Sequence, residues 1–245
     1  MIRSLALVLI LVLAGNAAQA DEILKAASTP AGQPASGLNQ ATGKWEGIAV
    51  ELLTTMLEKS NRKVEFVKMN FGDLQSALTE SRVDLIAASF GITPERARIV
   101  DFSAPYGSYR DVLLVPDSDK ASYSSLTELK GVRIATSRGS AYVQPLRDAG
   151  ADVIEATNPV EAILALKSGT VQGVVDNGLQ LRFRVKEMNL SGFKIVDSYK
   201  AISEGKLAYA VRKGDAATLE LLNESLKKAE ESGLLRTLKD KWSVQ

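Results

Sequence analysis

A ten-residue unit that occurs twice sets the tightest limit on what this chain can fold into. Ala77–Ile86 reads ALTESRVDLI, and Ala165–Val174 reads ALKSGTVQGV. Each copy is the end of an apolar-faced helix, a tight turn and the start of a buried strand. A helix feeding a buried strand, used twice, argues for two similar α/β lobes rather than an all-helical or all-β domain. Right-handed crossovers then place the carboxyl ends of the strands on one rim of each lobe, where open α/β sheets take their ligands.

The stretch after the first copy carries an unusual charge. In ITPERARIVDFSAPY (Ile92–Tyr106), Thr93 is a suitable N-cap and Pro94 a suitable first helical residue, which puts Glu95 second and Arg96 third. Glu95 suits the positive end of the helix dipole, whereas Arg96 gains nothing from the first turn alone. With an anion bound there, the dipole, free amides and forked guanidinium would all converge on it. Val83–Ser89 just upstream reads as a buried parallel strand, so Arg96 lies at a strand's carboxyl end. Taken alone, the stretch is equally compatible with a surface arginine on an ordinary helix. Gly139-Ser140-Ala141, with Ser140 as N-cap, is a second anion-friendly helix start, though a helix cap alone is common.

Composition removes several function classes. The 245 residues hold no cysteine and no histidine, which excludes Ser-His and Cys-His nucleophiles and imidazole or thiolate metal sites. A net charge of +1, with 24% charged residues, offers no bulk attraction for nucleic acid. Met1–Ala20 has a basic head at Arg3, an apolar run from Leu5 to Ala14 and the small-x-small triplet Ala18-Gln19-Ala20. This is the pattern of a secretory signal peptide cleaved after Ala20. Its apolar run is too short for a bilayer core of about 30 Å. No cysteine stands near that point to take a lipid, so a periplasmic protein without a lipid anchor is expected.

Elsewhere the spacing predicts a strand at Ile23–Ser28, a long loop over Thr29–Lys44, a helix over Ile48–Ser60, a strand at Val64–Val67 and a helix over Phe71–Glu80. Further on it predicts a short helix at Leu126–Gly131, a strand at Val132–Thr136 and a mostly solvated basic helix over Leu181–Asn189. Helices at Ala217–Lys228 and Leu234–Trp242 follow. Asp111–Val115 and Lys206–Arg212 are the strands expected to cross between lobes. Phe71 is a core candidate as much as a site candidate.

ITPERARIVDFSAPY closely resembles a segment of the family 3 extracellular solute-binding proteins, the periplasmic amino-acid-binding proteins of ABC importers. AVRKGD and SGLLRTLKDKW near the carboxyl end resemble the same family. The likeness runs over nearly all of 24–242. It implies the type II periplasmic binding protein fold, α/β with two lobes joined by two hinge strands. Lobe 1 would be 21–109 with 207–245, and lobe 2 would be 110–206. By the same resemblance Arg96 binds a ligand's α-carboxylate, Gly139-Ser140-Ala141 meets that carboxylate from the other lobe, and Phe71 packs on the ligand. An acid after the second repeat's strand would bind the α-ammonium. Counting through the repeat without a gap pairs Ser89 with Asn177, and shortening by one residue brings in Asp176 instead. Strand alternation would let only one of these two face the cleft.

The implied ligand-binding set is therefore Arg96, Ser89, Gly91, Phe71, Gly139, Ser140, Ala141, Asn177 and Asp176. The chain departs from the family at Thr29, where an acid is frequent, and at Gly32 and Ala35, where aromatics are frequent. The implied protein is a monomeric, non-enzymatic binder of an amino acid or small carboxylate that delivers it to a membrane ABC permease. It would use no cofactor, no metal and no nucleic acid. A periplasmic lyase of the cyclohexadienyl dehydratase kind, or a sensor or partner protein that has lost amino-acid binding, is the alternative on the same fold.

Overall fold

The computed structural model describes residues 23–196 and 198–244. The signal-peptide expectation for Met1–Ala20 lies outside the described residues. The first lobe opens with β1 (Ile23–Ser28), followed by β2 (Ala31–Gly32), β3 (Ser36–Leu38) and β4 (Trp45–Glu46). The anticipated loop at Thr29–Lys44 thus contains most of a small antiparallel sheet, β2-β3-β4. Its strands are too short for periodicity to reveal. Next come α1 (Ile48–Glu58), β5 (Lys63–Lys68), a 3₁₀ turn at Phe71–Asp73, α2 (Leu74–Thr79), β6 (Leu85–Ile86), α3 (Pro94–Ala97) and β7 (Val100–Phe102).

The chain then crosses on β8 (Gly107–Pro116) to a second lobe. This holds β9 (Arg133–Ser137), α4 (Val143–Asp148), β10 (Asp152–Ala156), α5 (Pro159–Lys167), β11 (Gly173–Asn177), α6 (Gly178–Glu187) and β12 (Phe193–Ile195). It returns on β13 (Glu204–Leu207) to finish the first lobe with β14 (Ala210–Arg212), α7 (Ala216–Glu231) and α8 (Leu234–Trp242).

The two main sheets share one topology. The first runs β5-β1-β6-β14-β7 and the second β10-β9-β11-β8-β12. In each, the strand from the repeat lies parallel to one neighbour (β6 to β1, β11 to β9) and antiparallel to the other (β14, β8). The repeat's turn is also the same. Arg82 and Thr170 donate their amides to the carbonyls of Ala77 and Ala165, and Ser81 and Gly169 take positive φ values of 58° and 74°. Glycine adopts that conformation at little cost, and serine takes it here because its copy of the turn repeats the same hydrogen bonds.

Alternation assigns the core. Leu85 and Ala87 face one cluster while Ile86 and Ala88 face another, and in β8 Leu113 and Val115 oppose Val112 and Leu114 in the same way. Strands buried on both faces are mostly apolar for this reason, and the two buried carboxylates they carry, Asp111 in β8 and Asp176 in β11, are held by hydrogen bonds.

The lobes are linked where β8 pairs with β13 in the register Gly107↔Leu207 to Arg110↔Glu204. The expected crossing at Asp111–Val115 belongs instead to the second lobe's sheet, where it pairs with β11 and β12. The expected strand Lys206–Arg212 is broken at Ala208–Tyr209 into β13 and β14, which serve different sheets. Asp111 pins the return crossing: it is fully buried and accepts from the Tyr199 hydroxyl (2.7 Å), Ile202 N (3.0 Å) and Ser203 N (2.7 Å).

Candidate functional site: an interlobe cavity with one cation and one carboxylate

The local chemistry around Arg96 follows its sequence. Thr93 Oγ1 accepts from Arg96 N at 3.2 Å, and Pro94 opens the single turn of α3. The side chain leaves that turn, and its guanidinium is buried. Nη1 donates to Gly91 O at 2.9 Å, and Nη2 donates across the lobes to Gly139 O at 3.2 Å. The cation lies over the Phe90 ring, 4.1 Å from its centroid, with Phe71 at 5.4 Å. Arg96 therefore holds structural contacts that its helix alone could not supply. It has no ion pair among the described residues, and burial pulls its pKa below the ordinary guanidinium value.

Gly139 has φ 73°, and a Cβ there would stand 2.8 Å from the Cα of Gly72 in the other lobe. Glycine is required at this close approach of the two walls. Ser140 does not cap a helix. α4 starts later, at Val143, and the Ser140 hydroxyl accepts weakly from Tyr142 N at 3.4 Å while pairing with Thr136 Oγ1 at 3.2 Å. The intervening residues form a separate turn, because the chain must first pass Gly72 before it can coil.

Asp176 and Asn177 both line the cavity, against the expectation that only one would. Alternation ends at Asn177, which closes β11 and caps α6, its Oδ1 accepting from Leu179 N at 2.9 Å. Its Nδ2 donates to Ser89 Oγ at 3.0 Å, so the two positions paired by the repeat meet each other across the cleft. Asp176 accepts from Ser137 N (3.2 Å), Ser137 Oγ (2.5 Å) and Asn177 N (2.7 Å). Burial raises its pKa above the ordinary carboxylate value, and these three donors counter the rise without overcoming it.

The cavity encloses about 630 Å³ with its mouth included. Phe71, Ser89, Gly91, Arg96, Ser140, Ala141, Asp176 and Asn177 line it, while Gly139 contributes through its carbonyl to Arg96. Phe71 also packs on the cluster beneath α2, so one ring serves core and cavity together.

The sequence profile of the bacterial extracellular solute-binding proteins, family 3, matches residues 24–245. The chain belongs to that family. A probable histidine-binding protein of Neisseria gonorrhoeae is 31% identical over 223 residues, covering 90% of this chain and 82% of that protein. A probable amino-acid ABC transporter-binding protein of Haemophilus influenzae is 27% identical over 201 residues, 82% of this chain and 77% of its own. Among solved structures, an ancestral arginine-binding protein bound to glutamine matches with a TM-score of 0.82 at 31% identity, covering 90% of this chain and 97% of that one.

In this family 3 solute-binding protein several lining residues carry no sequence signal. Tyr109, on the crossing strand β8, is wedged between two glycines. A Cβ at Gly91 would stand 2.2 Å from its hydroxyl oxygen, and one at Gly205 would stand 2.8 Å from its ring. Tyr142 is buried, and that burial, with Asp176 nearby, pushes its phenol well above the ordinary range. Gln180, which lines the cavity, and Arg184 behind it lie on α6, whose stretch from Leu181 reads as solvated and basic, yet both are buried. Arg184 bonds Glu187 and reaches Gln33 in the other lobe. Helical periodicity cannot announce these residues, because the surface that covers them belongs to the other lobe.

Proposed function

We propose that the protein captures a free amino acid in this cavity in the periplasm and presents it to an ABC permease. The lobes (21–109 with 207–245, and 110–206) would close about the β8–β13 crossing, and the working form would be a monomer exported with cleavage after Ala20. The observation that carries this reading is Arg96: a buried guanidinium without a carboxylate partner among the described residues, at the edge of the cavity where the lobes meet. A ligand carboxylate supplies the missing anion, and charge-assisted hydrogen bonds make that pairing strong in a desolvated cleft. Asp176, close to the same turn, complements an ammonium. Micromolar affinity needs only about −8 kcal/mol, of which one such charged pair contributes roughly 1.5–3 net.

Binding without turnover is the better reading. Asp176 is the sole carboxylate on the described lining, and three donors hold it in place. The experiment is calorimetric titration with free amino acids and with the matching carboxamides, alongside a chromatographic check for product. Binding of a free acid, loss of at least tenfold with its amide and an unchanged ligand support the proposal. Equal binding of the amide would overturn the role of Arg96, and a released product would make the protein an enzyme.

A further inference from the structure

The charges of the cavity are confined to one end. Arg96 bonds Gly139 O, and Asp176 bonds Ser137, so a single turn, Ser137–Gly139, gathers both. Away from it the described lining holds no ionisable acid or base and is built from Thr29, Gly32, Asn70, Asn158 and Gln180 with apolar neighbours.

Gln180 stands out on this wall. It is more than nine-tenths buried, and its amide makes none of the hydrogen bonds found among the described residues. It is not one of the fully enclosed unpartnered atoms (Arg184 Nε and Trp242 Nε1), so it opens on the cavity. Gly32 of the opposite lobe makes room for it: a Cβ at Gly32 would stand 3.1 Å from Gln180 Nε2 and 2.3 Å from Thr29 Oγ1. Buried polar groups are almost always bonded, so an unpartnered amide aimed at a cavity calls for a partner from the ligand. Thr29 does not supply it: its hydroxyl pairs with Ser36 Oγ at 2.9 Å, and no hydrogen bond joins it to Gln180.

We infer that the ligand is an amino acid whose side chain is uncharged and ends in a hydrogen-bonding group, and that Gln180 selects it. The inference rests on the amino-acid-binding reading above. A primary amide offers one donor face and one acceptor face, and a neutral amide or hydroxyl on the ligand can answer both. A guanidinium or ammonium engages only the carbonyl oxygen and brings a buried charge with no counter-charge. A carboxylate engages only the NH₂ and has the same fault. The cavity therefore rejects cationic and anionic side chains by leaving them unpaired.

The test is calorimetric titration of the mature protein with L-glutamine, L-asparagine, L-arginine, L-lysine and L-glutamate. At least one of the two amides should bind tenfold or more tighter than the other three. Gln180→Glu should move the preference towards arginine or lysine by tenfold or more. Gln180→Leu, which keeps the wall apolar and uncharged, should lose at least tenfold for the amide. Melting curves identify any variant that fails to fold, and the wild-type ranking with the remaining variant then decides. If the wild type binds arginine, lysine or glutamate as tightly as the amides, the inference is overturned while amino-acid binding stands. If Gln180→Leu keeps the full preference, Gln180 is not the selector. If none of the five binds, the inference falls, and the titration with the full set of free amino acids decides the amino-acid-binding reading separately.

Discussion

Replacing Arg96 by alanine separates its two roles, because the structure gives each a different size. Without ligand, the side chain contributes one charged hydrogen bond to Gly91 O and a stacked position over Phe90, and it adds the bond to Gly139 O once the lobes meet. A hydrogen bond from a charged group contributes about 1.5–3 kcal/mol net, and a desolvated cation over a ring about 1–2. The cost of burying the guanidinium, which also depresses its pKa, offsets much of this. A net loss of roughly 1–2 kcal/mol is expected, or a fall in Tm of about 2–8 °C for a protein of this size. The ligand-bound state loses more. A carboxylate left buried and unpaired costs roughly 3–5 kcal/mol, so affinity should fall about a hundredfold to several thousandfold. Arg96→Lys should recover part of the stability and little of the affinity, since an ammonium cannot serve Gly91 O, Gly139 O and a carboxylate together. Calorimetric titration with the identified ligand and melting curves of both variants measure the two effects. Binding of Arg96→Ala within tenfold of wild type, or its failure to fold, would refute the reasoning.

Three further outcomes are expected. The Asp176 carboxyl is raised in the fold, so the folded state holds its proton where the unfolded chain has released it. Its favourable contribution is complete below the ordinary value of 3.8 and is lost as pH rises through the folded value. The melting temperature of Asp176→Asn relative to wild type should therefore climb between about pH 4 and neutrality, and a flat difference across that range would count against the buried-charge account. Gly91→Ala forces a Cβ against the Tyr109 hydroxyl and should destabilise by roughly 1–3 kcal/mol. Gly91→Ala should cost much less in a Tyr109→Ala background than in the wild type, and melting curves of the two single variants and the double variant check it. Small-angle scattering should give a smaller radius of gyration with ligand, because Ser89–Asn177 and Gln33–Arg184 join the lobes only when closed. An unchanged radius with saturating ligand would exclude hinge closure.

What was legible in the sequence is what local chemistry decides over a few residues. The Thr93-Pro94 helix start is as read, with the threonine hydroxyl on Arg96 N. The repeated unit gives the same turn twice, with Ser81 and Gly169 in matching left-handed conformations, and the two sheets built on it share a topology. Capping, turn chemistry and apolar spacing act within a segment, so one chain suffices to see them.

The tertiary structure alone decided which segments meet. Asp152–Ala156 is a sheet-edge strand with much of its surface exposed, so no apolar run marks it. Asn177 and Asp176 share the cavity because the strand ends at Asn177 and the chain turns directly into α6 at Gly178, which strand alternation does not foresee. Gln180, Tyr109 and Tyr142 look like ordinary helix or strand residues until the opposite lobe covers them. Arg96 gains its partner at Gly139 only through the path of β8 and β13, far away in the chain. The physical reason is range: a cap or a turn is fixed by neighbours in sequence, whereas a closed cavity is fixed by the crossing geometry that brings two separately folded walls within hydrogen-bonding distance.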